Sequence, residues 1–270
     1  MEFTNDIVVV RGGGDIATGT IHKLFRAGFK VLILEIEKPS AIRREVAFCE
    51  AIYRKKMVIE EVTAKLCSSI EEIEGCWLNN EIPILVDPNG DIIKKIKPLV
   101  VVDAILAKKN YGTSREMAPI TIGLGPGFTA GLDVDVVVES MRGHDLGRLI
   151  FEGEAMENTG VPGIIAGIGR ERVIYSPCSG TIKNICSIGD IVKKGDTIAT
   201  VDGNDIKASI NGILRGLIRD GYKVSEKFKI ADIDPRLEEQ KNCFTISDKA
   251  RAIGGAVLEA ILYLKIKKGL

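Results

Sequence analysis

Histidine is nearly missing from this chain of 270 residues, which holds only His22 and His144, so a histidine-built metal centre is excluded. Net charge is missing too. Its 37 Lys and Arg residues balance 37 Asp and Glu residues, and no basic stripe points to nucleic acid or to an anionic membrane surface. No apolar run approaches the roughly 20 residues of a membrane-spanning helix. The N-terminus enters an apolar strand directly, without the basic n-region or the h-region of a secretory signal. A cytoplasmic protein that binds neither nucleic acid nor membrane is the resulting expectation. The six cysteines (Cys49, Cys67, Cys76, Cys178, Cys186 and Cys243) form no CxxC pair and no metal-type spacing. They read as reduced thiols, several of them in the core, and no metal site is expected. No Ser-His-Asp or Cys-His set can be assembled either, and Cys49 beside Glu50 reads as packing.

What the chain does have begins at its first strand. The β-branched run Ile7-Val8-Val9-Val10 drops through Arg11 into Gly12-Gly13-Gly14, then into a helical stretch that Gly28 closes. A second apolar strand over 31–34 ends on Glu35. This is the opening βαβ unit of a dinucleotide-binding fold, with Gly12, Gly14 and the small Ala17 at the fingerprint positions. Gly12 permits the tight turn, Gly13 and Gly14 let backbone amides approach a phosphate, and the helix N-terminus adds partial positive charge. Glu35, at the tip of the second strand, suits a ribose hydroxyl. Asp15 departs from the pattern, because a carboxylate there repels a pyrophosphate unless it caps the helix or holds a metal. The capping reading is the default.

At this length two domains are expected. Over residues 1–170 apolar runs at 83–88, 99–104, 120–124 and 134–139 alternate with longer segments, as in a parallel sheet buried on both faces. Residues 171–228 change to short strands with regular Gly-Asp turns. There Ser-Pro-Cys-Ser-Gly-Thr-Ile (176–182) is echoed by Ala-Ser-Ile-Asn-Gly-Ile-Leu (208–214). The two similar halves resemble a biotinyl/lipoyl-type barrel-sandwich hybrid. A carrier domain needs a lysine at the hairpin tip, yet the tip reads Asp202-Gly203-Asn204-Asp205, and Lys207 falls in the next strand. In 229–270 a loop over 229–236 precedes a helix capped by Ser247 or Asp248, which is expected to return to the first domain. The fold class is therefore α/β, a Rossmann-like parallel-sheet domain with an inserted all-β module.

Several polar clusters follow apolar strands, where open α/β sheets bind ligands. Arg43 and Arg44, downstream of Glu35, suit phosphate recognition or a solvated helix face. Asp103 ends a strand and Lys108 follows it. Gly125 and Gly127 lie in a backbone-rich loop that could present amides to an anion or serve as a tight turn. Arg142 and His144 belong to the densest cluster, 139–148, where His144 reads either as a general base or ligand, or as a structural histidine. Asp103, Lys108, Gly125, Gly127, Arg142 and His144 are expected to line one crevice with the glycine loop.

Six segments together are similar to one family: Val-Arg-Gly-Gly-Gly-Asp-Ile-Ala-Thr-Gly (10–19), Pro-Ser-Ala-Ile-Arg-Arg-Glu-Val-Ala-Phe (39–48), Asp-Ala-Ile-Leu-Ala-Lys-Lys-Asn (103–110), Leu-Gly-Pro-Gly-Phe (124–128), Arg-Gly-His-Asp-Leu-Gly-Arg (142–148) and Lys-Ile-Ala-Asp-Ile-Asp-Pro-Arg (229–236). They resemble the YqeB-like proteins of selenium-dependent molybdenum hydroxylase systems. The resemblance implies an accessory or maturation role beside hydroxylases of the xanthine dehydrogenase type. It also implies a first half similar to XdhC-type factors that handle molybdenum cofactor. On this reading the protein partners the hydroxylase subunits and binds a small phosphorylated ligand, with NAD(P) or molybdenum cofactor as candidates. A homo-oligomer is compatible with it. An independent NAD(P)-dependent oxidoreductase would instead show turnover alone, and a structural adaptor would bind no small molecule; the resemblance leaves both the ligand and any catalysis open.

Overall fold

The structure, a computed structural model, describes residues 6–160 and 163–270. The chain divides into two compact units. One comprises Met1–Pro39, Ala47–Asn158 and Ile246–Leu270; the other comprises Ser40–Val46 and Thr159–Thr245.

The first unit opens with β1 (Ile7–Arg11), α1 (Asp15–Arg26) and β2 (Lys30–Glu35). A short α2 (Ala51–Arg54) leads to the hairpin β3 (Lys56–Ile59) and β4 (Val62–Cys67), then α3 (Ile70–Leu78), β5 (Ile82–Val86) and α4 (Ile93–Ile96). Next come β6 (Val100–Asp103), β7 (Ile120–Leu124), β8 (Thr129–Ala130), β9 (Val136–Val138), β10 (Leu149–Ile150) and β11 (Gly153–Glu154). Nine of these strands form one sheet in the order β10-β9-β7-β6-β1-β2-β5-β4-β3. Its interior pairings are parallel, and β3 and β10 close the two edges antiparallel.

After β1 the chain builds outward through β2 to β3, then returns to lay β6 on the opposite side of β1. The strand order therefore reverses between β1 and β6, where such sheets open a crevice at their carboxyl ends. Burial on both faces explains the unbroken apolar runs. Val8 and Val10 face one apolar cluster, with Ile21 and Leu24 of α1; Val9 faces another, with Ile73 of α3 and Ile93 of α4.

The first cluster also takes in the last helix, α5 (Asp248–Lys268), through Ile253, Val257, Ile261 and Leu264. Ser247 caps α5 by accepting the Ala250 amide at 3.2 Å, and Gly269 ends it in a left-handed conformation. Where α5 crosses α1 the two backbones nearly touch. A methyl group built on Gly254 would lie 2.5 Å from Gly19 O, and one on Gly19 would overlap Ala250 O. Ala at either position gains up to about 1 kcal/mol of helix propensity over Gly. Forcing the helices apart costs about 1–3 kcal/mol, so the clash wins. Gly19→Ala and Gly254→Ala are each expected to lower the stability of the protein by about 1–2 kcal/mol in chemical denaturation; a gain in stability would contradict the close crossing.

The second unit holds β12 (Val173–Tyr175), β13 (Gly180–Asn184), β14 (Ile191–Val192), β15 (Thr197–Val201), β16 (Asn204–Lys207), β17 (Gly212–Leu217), β18 (Lys223–Val224) and β19 (Lys229–Asp234). They form two four-stranded antiparallel sheets, β12-β19-β17-β14 and β16-β15-β13-β18, around one apolar core that includes Ile182, Ile198, Ile213 and Ile230. The chain is thus a mixed α/β protein with one large sheet and further antiparallel sheets.

Two features differ from the expectation drawn from sequence. The unit runs to Thr245 rather than to 228. The segment 229–236, expected as a loop, contains β19, which pairs with both β12 and β17. Its aspartates disguise it. Asp232 and Asp234 are buried because guanidinium groups meet them: Arg172 and Arg215 bind Asp232, while Arg236 and Arg215 pair with Asp234. Removing one member of a buried ion cluster leaves the others uncompensated, at about 3–5 kcal/mol. Asp232→Ala is accordingly expected to cost about that much in the unfolding of this unit, and a cost below about 1 kcal/mol would show that the cluster is solvated.

Candidate functional site

The glycine turn at the carboxyl end of β1 is made of three residues that do different work. Gly12 has φ +93°, donates its amide to Leu34 O at 2.8 Å, and leaves no room for a side chain: a methyl there would lie 3.0 Å from Ala104 O and from the Ile105 backbone. Gly12 thus lets the β1 and β6 ends close together. Gly13 is held on both sides, its amide donating to Glu35 Oε2 and its carbonyl accepting from the Cys49 amide, each at 2.8 Å.

Gly14 is the N-cap of α1, in extended conformation and without a side-chain cap bond. A methyl group on Gly14 meets nothing within 4 Å. The first turn of α1 carries amides with no acceptor inside the helix, and at Gly14 it faces open space. The cap expected of Asp15 is therefore supplied by Gly14, because the helix begins one residue earlier than a capping aspartate requires. Asp15 is the first helical residue, where its negative charge complements the helix dipole.

Carboxylates surround this turn. Glu35 accepts a second amide, that of Ile36, at 2.8 Å. Burial raises its pKa above the ordinary glutamate value, with the two amides pulling the other way. Burial and the nearby charges of Glu35, Glu50 and Asp15 push the Cys49 thiol well up, so Cys49 stays protonated and is no nucleophile.

Next along the sheet edge, Asp103 lies buried and accepts from the Ile105 amide at 3.1 Å and from Thr113 Oγ1 at 2.6 Å. Burial raises its pKa, against the bonds from Thr113 and Ile105 and the charge of Arg11. Arg11, itself buried, donates to Thr113 Oγ1 and to Pro88 O at 3.0 Å, with Asp103 at 3.8 Å. Both groups hold the loop after β6 in place. That loop meets the next turn: a methyl on Gly125 would overlap Ser140 Oγ and lie 3.5 Å from Leu106, and one on Gly127 would lie 2.6 Å from Lys109 N. The glycine turn, the 104–109 loop with exposed Lys108, and the turn over Gly125 and Gly127 thus adjoin along one edge of the sheet.

The remaining residues are engaged elsewhere in the fold. Arg142 is exposed and grips Asp248 with two bonds, at 2.7 and 2.8 Å, tying the loop after β9 to the start of α5. His144 is exposed and lines a surface depression of about 550 Å³ with Leu146, Arg148, Phe151, Glu259 and Tyr263. Arg43 and Arg44 belong to the second unit. There Arg43 donates to Asn242 O at 3.1 Å, and Arg44 donates to Leu217 O at 3.1 Å and to Glu45.

One group escaped the sequence reading. Lys249, in the first turn of α5, is half-buried; burial and Arg142 lower its pKa, while Asp15, Glu139 and Asp248 act in the opposite direction. Its sequence context, Ser247-Asp248-Lys249, signals only a helix start. Among the described residues no cluster of His, Cys, Asp and Glu is arranged to hold a metal ion, and no helix is long and apolar enough to cross a membrane.

No protein-family model matches the chain. Among solved structures it is similar to the product-bound ectoine utilization protein EutE (DoeB) from Ruegeria pomeroyi, at 11% identity over 84% of this chain and 85% of that one, with a TM-score of 0.27. An aspartoacylase family protein from Mesorhizobium loti MAFF303099 gives 12% identity over 80% of this chain and 60% of that one, with a TM-score of 0.25. Similarities at such scores carry no argument about fold or function. The chain spans about half the length of the curated relative it matches: it is 51% identical over 260 residues to the uncharacterized protein YqeB of Escherichia coli (strain K12), covering 96% of this chain and 48% of that protein. Over that span the chain is similar to YqeB.

Proposed function

We propose that the first unit is a Rossmann-like domain that binds a phosphorylated ligand, a nucleotide or the molybdenum cofactor, on its glycine turn. The observation that carries this reading is the open start of α1. Gly14 caps a 12-residue helix at the strand-order reversal, with nothing within 4 Å of the place where a Cβ would stand. Amides and helix dipole together favour an anion there, against the charge of Asp15 in the same turn, and on this reading Glu35, bonded to Gly13, accepts a ribose hydroxyl as well.

On the same reading the second unit is a barrel-sandwich hybrid without biotin or lipoate. Its hairpin tip is Asp202-Gly203-Asn204, and Lys207 is exposed beyond it, 3.8 Å from Asp205. The sequence resemblance supports the physiological setting: an accessory protein that delivers or modifies a cofactor for a selenium-dependent molybdenum hydroxylase in the cytoplasm.

Mass spectrometry of ligands retained through native purification tests the reading directly. A bound phosphate-bearing compound is expected, and its absence, together with no binding of NAD+, NADP+ or ADP-ribose in calorimetry, would defeat it. Gly14→Val then separates ligand from fold. A Cβ there meets nothing within 4 Å, so the variant is expected to fold with only the small cost of a weaker N-cap, while affinity falls at least about tenfold, or ~1.4 kcal/mol. Unchanged affinity would remove the phosphate from this turn.

The pH response has a defined sign. Glu35 titrates above the ordinary value of 4.5 because it is buried, so the folded protein holds its proton more tightly than the unfolded chain. Its contribution to stability is greatest in acid and is lost as pH rises through the raised pKa. Affinity for a ribose-bearing ligand runs the opposite way, since only the carboxylate accepts two hydroxyl bonds; it is expected to weaken as pH falls through that pKa. Glu35→Gln should flatten the affinity profile, and a profile identical to that of the wild type would exclude Glu35 from the site.

A further inference from the structure

Six scattered cysteines gave no pairing by their spacing, but two of them meet in space. Cys67 ends β4 and Cys76 lies in α3; their sulfurs are 3.3 Å apart, with 2% and 1% of each residue exposed. We propose that Cys67 and Cys76 form a redox-modification site, in which opening of α3 lets a small disulfide oxidise the pair to a reversible intramolecular disulfide.

The helix that covers the pair is lightly anchored. Only Ile73 and Cys76 of α3 are buried, Ile70 and Leu78 are exposed, and Trp77, partly buried against the same cluster, adds a bond from its indole nitrogen to Val31 O at 2.9 Å. An element with so few buried contacts opens at a free energy well below that of global unfolding. Closed, the pair is inert: burial, then the neighbouring Cys76 thiol, pushes Cys67 up to about 12, so almost no thiolate exists to attack an oxidant. Open, the thiol returns to about 8.5, and a useful fraction ionises near neutral pH. Redocking of α3 then brings Cys76 back beside the modified sulfur.

The chemistry balances with a small disulfide as the electron acceptor. The Cys67 thiolate attacks one sulfur of oxidised glutathione, breaking its S–S bond, forming a mixed disulfide and releasing one glutathione thiolate. Cys76, losing its proton, attacks the Cys67 sulfur of the mixed disulfide. The protein disulfide forms and the second glutathione leaves. Overall the protein gives up two protons and two electrons, and one glutathione disulfide becomes two thiols.

The test uses the full chain, incubated with oxidised glutathione at neutral pH, denatured, alkylated with iodoacetamide, digested and mapped by mass. A linked Cys67–Cys76 peptide two hydrogens lighter than the sum of its parts is expected, and dithiothreitol should restore both alkylatable thiols. Half-exposed Cys178 and Cys186 are expected to alkylate in the native protein at least tenfold faster than this pair. Cys76→Ser should trap Cys67 as a stable glutathione adduct, because the resolving sulfur is gone. Should that variant fail to fold, the wild-type map decides alone. Recovery of Cys67 and Cys76 as two alkylated thiols, or as two separate glutathione adducts, would overturn the proposal.

Discussion

The near-contact of α1 and α5 is the constraint on which the rest of the first unit depends. Helices normally pack 8–10 Å apart because side chains separate them. Here Gly19 and Gly254 remove the spacers, and backbone meets backbone. The closeness fixes α1 against α5, with Ile21 and Leu24 sharing a core with Ile253 and Val257. A helix held that firmly presents its N-terminus at a set height above the carboxyl ends of β1 and β6. The Arg142–Asp248 grip brings the loop after β9 to the first residue of the same α5. One steric fact in the helix layer therefore sets the geometry of the candidate site.

Charge is distributed by the same logic of internal support. Most carboxylates at the strand ends are engaged by the protein itself. Asp103 serves the Ile105 amide and Thr113, Glu139 accepts the Met141 and Met156 amides at 2.6 and 2.8 Å, and Asp87 accepts three amides between Gly90 and Ile92. An unpaired buried carboxylate costs several kcal/mol, whereas an amide bond to a charged oxygen contributes about 1.5–3 kcal/mol. The loops are thus ordered by bonds that a ligand need not supply. Glu35 differs, because one of its two amide partners belongs to the glycine turn itself.

Much of this was legible in the sequence for physical reasons. A βαβ start is written in local terms: a β-branched run, glycines, then an acid about 20 residues on. The buried parallel strands showed as unbroken apolar runs. What escaped is non-local. β19 reads as a loop until Arg172 and Arg215, 60 and 17 residues away, neutralise Asp232. Arg43 and Arg44 follow Glu35 closely in sequence, yet their guanidinium groups bond carbonyls near 217 and 242. Lys249 and the Cys67–Cys76 pair are likewise invisible, since a helix start and two isolated thiols carry no signal of what lies across from them.

Gly12 and Gly14 show why a motif cannot be read as one unit. Both fit the fingerprint, but Gly12 is required by the fold: its φ of +93° and its 3.0 Å approach to Ala104 O hold whether or not anything binds. Gly14 has an ordinary φ of −65° and free space around its missing side chain. Sterics give no reason for glycine there; its place as N-cap does, since glycine ranks well above alanine at that position. Gly14 serves the start of the helix and also leaves that start open to what approaches it. That asymmetry, more than the motif's presence, singles out the start of α1 as the candidate site.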